Sequence, residues 1–105
     1  MPRRPDPSDR YSPMTENELK GHVLRLAYAN GWAVYHVPQA TMRNGGGRGY
    51  PDLTLARDRE VLWIELKATG GVLSAEQIQW SMALPVCHMV TPLDWYSGRV
   101  AELLS

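Results

Sequence analysis

A single cysteine, Cys87, among 105 residues excludes an internal disulfide. With only three histidines, the chain also lacks the ligand supply of an ordinary structural zinc site. No uninterrupted apolar stretch approaches the ~20 residues that a membrane-spanning helix needs, and the first residues hold no signal-like apolar core. A soluble, cytoplasmic protein with no membrane partner is the expectation. Neither sign of charge dominates, because 11 Lys and Arg balance 11 Asp and Glu. That balance argues against a strongly basic nucleic-acid binder and turns attention to local clusters. No internal repeat is present. No Gly-Lys-Ser/Thr follows Gly45-Gly46-Gly47 and no helix is expected to start there, which excludes a phosphate-binding P-loop.

The hydrophobic content of 44% is that of an ordinary globular domain, and the length allows one such domain. Residues 1–13 are rich in Pro, Arg, Asp and Ser, too polar to offset the entropy of ordering, and read as a disordered tail. The domain is expected over 14–105. Thr15 with Glu18 three residues later matches a capping box, and Leu19, Val23, Leu26 and Ala27 recur at helical spacing until Gly31. Trp32–Val37 reads as a first strand, and residues 39–48 as a polar loop. Asp52–Ala56 and Val61–Glu65 read as two strands joined by the polar connection Arg57-Asp58-Arg59-Glu60. Ser74 and Gln77 form a second capping-box pattern for a helix ending near Pro85. Val86–Val90 reads as a last strand and Asp94–Leu104 as a closing helix. This order predicts an α/β domain with a mixed central sheet, helices on both faces, and Leu53, Leu55, Leu62, Ile64 and Leu66 on one face of the hairpin.

The hairpin also carries the chemistry. If Ala56 pairs with Val61, the same register sets Asp52 directly opposite Glu65, with Lys67 on the same face because strand side chains alternate. Directly opposed carboxylates destabilise a ladder, unless a divalent cation lies between them. Mg²⁺ takes one or two carboxylates and fills its remaining positions with waters and phosphate oxygens. An adjacent ammonium can orient water or stabilise charge on a phosphate, so two acids and a lysine suit phosphodiester hydrolysis. The plainer alternative makes Asp52 a strand-start residue and Glu65 and Lys67 solvated edge charges.

The motifs Gly49-x-Pro51-Asp52-Leu53, Glu65-x-Lys67 and Leu73-Ser74-x-x-Gln77-x-x-Trp80 resemble the PD-(D/E)xK nuclease superfamily. Within it the likeness is to the small stand-alone VRR-NUC domains of phage and bacterial genomes, over about Thr15 to Trp95. The resemblance implies a restriction-endonuclease-like core whose hairpin carries the active site. It further implies a Mg²⁺- or Mn²⁺-dependent DNA endonuclease, often acting on branched, flap or junction DNA. Asp52 and Glu65 would hold the ion, with the Leu66 carbonyl as a third ligand. The resemblance nominates Glu16, an acid early in the first helix, to complete the site, where the alternative is a helix-dipole role. It nominates Gln77 as the residue beside the catalytic Lys67, where reciprocal capping explains it equally well. The link Ala83–Val86 is shorter than the family-like pattern.

Arg43 and Arg48 are candidate contacts to the scissile strand, in a group that also includes Arg57 and Arg59 around the hairpin. His36 can approach the site from a strand end or be structural. Trp80 reads as a packing residue, with base stacking as its alternative. Cys87 and His88 are adjacent, point to opposite faces and make no dyad. DNA is the expected partner, and symmetric cutting of both strands would need a homodimer. The rival reading is a catalytically silent nucleic-acid-binding accessory domain on the same fold. A hydrolase of small phosphate compounds is a third, with no nucleotide pocket in the sequence to favour it.

Overall fold

The computed structural model describes residues 14–38 and 47–105; the expected tail over 1–13, Arg43, Gly45 and Gly46 lie outside the described residues. Helix α1 spans Glu16–Ala29. The Thr15 hydroxyl accepts the Glu18 N–H at 3.1 Å and donates to the Glu18 carboxylate at 3.0 Å, so Glu18 is engaged in the cap. Leu19, Val23 and Ala27, one turn apart, form its buried stripe. Gly31, at φ +83°, turns the chain into strand β1, Ala33–His36.

Strands β2 (Leu53–Arg57) and β3 (Glu60–Leu66) form the expected hairpin, with Ala56 paired to Val61 and Leu53 to Ile64. Both turn residues, Asp58 and Arg59, have positive φ (50° and 68°), which is the backbone of a two-residue type I′ turn. That turn's twist matches the strands and fixes the register. Helix α2 (Ala75–Ala83) then leads to β4, Cys87–Val90, which lies parallel to β3. A parallel pair needs a crossover, and α2 supplies it. The short link suffices: Leu84 leaves α2 with extended backbone, and the Val86 carbonyl accepts the Trp63 N–H at 2.9 Å. The result is a mixed four-stranded sheet in the order β1-β2-β3-β4, with the hairpin at its centre.

The chain closes differently from expectation. The single helix expected over Asp94–Leu104 is two short ones, α3 (Pro92–Tyr96) and α4 (Arg99–Leu103). The start is earlier because Pro92 occupies the first turn and Asp94 Oδ2 accepts from both the Thr91 N–H and its hydroxyl. The break falls at Gly98, whose φ of +86° is left-handed and reverses the chain.

Leu53, Leu55, Leu62, Ile64 and Leu66 are buried on one sheet face, against Leu19, Val23 and Ala27 of α1 and against Val90, Val100 and Leu104. Each buried Leu, Ile or Val side chain contributes ~1.5–3 kcal/mol by leaving water. The opposite face, bearing Thr54, Trp63 and Glu65, lies under α2, which buries none of its own residues. Helices thus flank both faces, and among the described residues one face alone is sealed by a hydrophobic core.

Candidate active site

The ladder ends at the pair that matters. One step beyond Leu53–Ile64, the same register brings Asp52 opposite Glu65. Asp52 Oδ2 accepts the Leu66 N–H at 2.8 Å, so this carboxylate also closes the backbone at the end of β3. Leu66, nominated for its carbonyl, takes part in the described geometry through its N–H.

Glu65 is 5% exposed, a buried acid in the sheet. Its Oε2 accepts from Gln77 Nε2 at 2.9 Å and lies 3.8 Å from Lys67 Nζ, while its Oε1 is buried without a partner among the described residues. A buried carboxylate oxygen with no donor is costly. Burial is the largest cause pushing the Glu65 carboxyl from its ordinary 4.5 up to about 8. The opposed Asp52 carboxylate, by its charge and its hydrogen-bonding reach, pushes the same way, Lys67 pulls down, and Glu16 adds a further upward push. Two carboxylates accept a mutual hydrogen bond only when one is protonated. The pair therefore calls for a proton or a cation between its members.

Gln77 joins both roles the sequence left open. Its Oε1 accepts the Ser74 N–H at 2.8 Å, the Ser74 hydroxyl accepts the Gln77 N–H at 3.2 Å, and its Nε2 reaches Glu65. One side chain both caps α2 and holds the buried acid, and its bond is to Glu65 rather than to Lys67. Glu16, in the exposed first turn of α1, reaches the site through its charge, which adds to the upward push on the Glu65 carboxyl.

The other candidates stand apart. Arg48 is exposed in the turn before Tyr50, and Arg43 lies outside the described residues. Arg57 is engaged elsewhere: it donates to the Asn30 carbonyl at 2.9 Å and the Ser105 carbonyl at 2.8 Å, and its guanidinium lies 4.2 Å from the Trp32 ring centroid. His36 pairs with Leu53, which puts it on the sheet face away from Glu65. Cys87 and Met89 pair with Trp63 and Glu65 and so share their face. Burial and the Glu65 charge push the Cys87 thiol up, away from a nucleophilic thiolate. His88 is held below its ordinary value by burial and by Arg99.

Sequence reasoning missed Tyr50. Its hydroxyl accepts the Trp63 indole N–H at 2.8 Å and bonds the Thr54 hydroxyl at 3.1 Å, and its ring meets Trp80 edge-on with centroids 5.0 Å apart. The signal was available, because Tyr50 and Thr54 alternate with Asp52 on one face and Thr54 pairs with Trp63.

Among the described residues, no three His, Cys, Asp or Glu side chains gather as an ion cage. The donor set is a carboxylate pair, which fits a hard cation that keeps most of its waters. Compared with protein-family models, with curated proteins and with solved structures, the chain has no match.

Proposed function

We propose that the chain is a divalent-metal-dependent DNA endonuclease of the PD-(D/E)xK kind, with a restriction-endonuclease-like core of the VRR-NUC type. The observation that carries this reading is the Asp52–Glu65 pair, in which a buried carboxylate oxygen has no donor among the described residues and Lys67 stands 3.8 Å away. A structural pair would be cheaper as amides or apolar residues. A cation offsets the mutual repulsion and completes the orphaned oxygen at once.

Asp52 and Glu65 would hold Mg²⁺ or Mn²⁺, with the Leu66 carbonyl and Glu16 as further candidates. When bound, such an ion supplies Lewis-acid polarisation of a phosphoryl oxygen. Lys67 would stabilise negative charge developing on the phosphate or orient the attacking water, and Gln77 would hold Glu65 in place. The sheet face under α2 is the side from which DNA would approach, and branched, flap or junction forms are the substrates to try first.

The test is cleavage of labelled single-stranded, duplex, flap and four-way-junction DNA with Mg²⁺, with Mn²⁺ and with EDTA. Asp52→Asn is a better control than alanine, because asparagine keeps an acceptor for the Leu66 N–H. Metal-dependent cutting, lost in Asp52→Asn and in Lys67→Ala with unchanged circular dichroism, is the expected outcome. Folded protein that binds DNA but cuts none of these substrates would overturn the reading in favour of a silent accessory domain.

A further inference from the structure

The turn before Asp52 and the first turn of α2 approach more closely than side chains permit. Gly49 is buried, with φ +83°, and a Cβ there would lie 2.6 Å from the Glu76 carbonyl carbon and 2.8 Å from the Gln77 nitrogen. Those are backbone atoms and cannot swing aside. One turn further along α2, Trp80 Nε1 donates to the Arg48 carbonyl at 3.1 Å, and its ring meets Tyr50. Tyr50 is tied to β2 and β3 through Thr54 and Trp63. Because α2 buries no residue of its own, these contacts carry much of its attachment to the sheet.

We propose that Gly49 and Trp80 are positioning residues of the carboxylate site: they clamp α2 against the turn preceding Asp52, so that Gln77 reaches Glu65. This rests on the nuclease reading for its consequence in catalysis, though not for the clamp itself. Gly49 sets the spacing and Trp80 sets the lateral position. Restoring an ordinary carbon contact of ~3.5 Å at Gly49→Ala needs about 0.9 Å of retreat by the helix. That is enough to take the 2.9 Å Gln77–Glu65 hydrogen bond out of range.

The first readout needs no activity. In metal-free protein, the side-chain amide of Gln77 should give a shifted, slowly exchanging NMR signal. Gly49→Ala should return it to the position of a free glutamine amide, and Trp80→Phe, which keeps an aromatic ring but deletes the indole N–H, should move it the same way by less. The second readout is a double-mutant cycle on cleavage. Gln77→Ala should lower kcat by about 10- to 100-fold, as losses of groups that orient metal ligands do, with KM little changed. Gly49→Ala should lower it comparably alone and add almost nothing in the Gln77→Ala background. An unmoved Gln77 amide in both variants, or fully additive losses in kcat, would overturn the clamp. Absence of any cleavage by the wild-type protein would count against the nuclease alone, since the amide signals still decide the clamp.

Discussion

Glu65 is the residue at which folding and the proposed chemistry oppose each other. Its carboxyl is raised from 4.5 to about 8, by burial first and by Asp52 second. Between those values the folded protein holds a proton that the unfolded chain has released. The resulting stabilisation is complete below 4.5 and is lost as pH rises through about 8. Thermal denaturation in EDTA from about pH 5 to about pH 9 should therefore show a falling Tm across this window. Glu65→Gln should flatten that fall and raise Tm at its alkaline end. The introduced amide can accept from Gln77 and donate toward Asp52, removing both the repulsion and the orphaned oxygen. On the proposed nuclease reading the same variant should abolish metal-dependent cleavage, the usual opposition between stability and function at a site. An unchanged slope in Glu65→Gln would assign the pH dependence to other groups.

Among the elements, the hairpin carries the most information because its turn and the end bearing Asp52 and Glu65 are rigidly linked. The type I′ turn requires left-handed backbone at two positions, and Arg59 occupies one of them at φ +68°. Arg59→Gly should stabilise the protein by about 1 kcal/mol, since the strain relieved outweighs the added freedom of the unfolded chain. A Tm rise of several degrees in calorimetry checks this, and a fall would show that the Arg59 side chain contributes more than its backbone costs. The register could be derived from sequence because a slip of one residue would turn one strand's core side chains, Leu53 and Leu55 or Leu62, Ile64 and Leu66, away from the buried face. The helix caps at Thr15 and Ser74 were equally legible, being local chemistry within four residues. What sequence hid was contact between elements. Gly49 looks like any turn glycine until the backbone of Glu76 is placed against it. Gly98 was passed over because the apolar residues on either side of it, Trp95 and Val100, continue to pack inward across the break.

On the scale of the whole molecule, the two ends of the hairpin do different work, and Arg57 marks the end that holds the fold together. Arg57 stands beside the turn, five residues and so about 16 Å along β2 from Asp52. Its guanidinium joins the end of α1 at the Asn30 carbonyl, the Trp32 ring and the last residue, Ser105. Asn30 and Trp32 bind the neighbouring Leu104 carbonyl at 2.9 and 3.0 Å, so three side chains fasten α4 across the core. From sequence, Arg57 belonged with the cations around the hairpin that could contact DNA. Its geometry instead predicts a structural role. Arg57→Ala removes two charge-assisted hydrogen bonds and a cation–π contact whose partners can partly regain water, and should cost about 1–3 kcal/mol. Arg57→Lys should recover only part of this, because an ammonium cannot reach both carbonyls in the planar fork while lying over the indole. On the proposed DNA-binding reading, affinity and its salt dependence below the lowered Tm should match the wild type, since no phosphate contact is lost. A drop in affinity with an unchanged Tm would return Arg57 to the candidate DNA contacts. The opposite pattern would separate the molecule into a sealed, stabilising face tied down at the hairpin turn and a thinly covered face on which Asp52 and Glu65 meet.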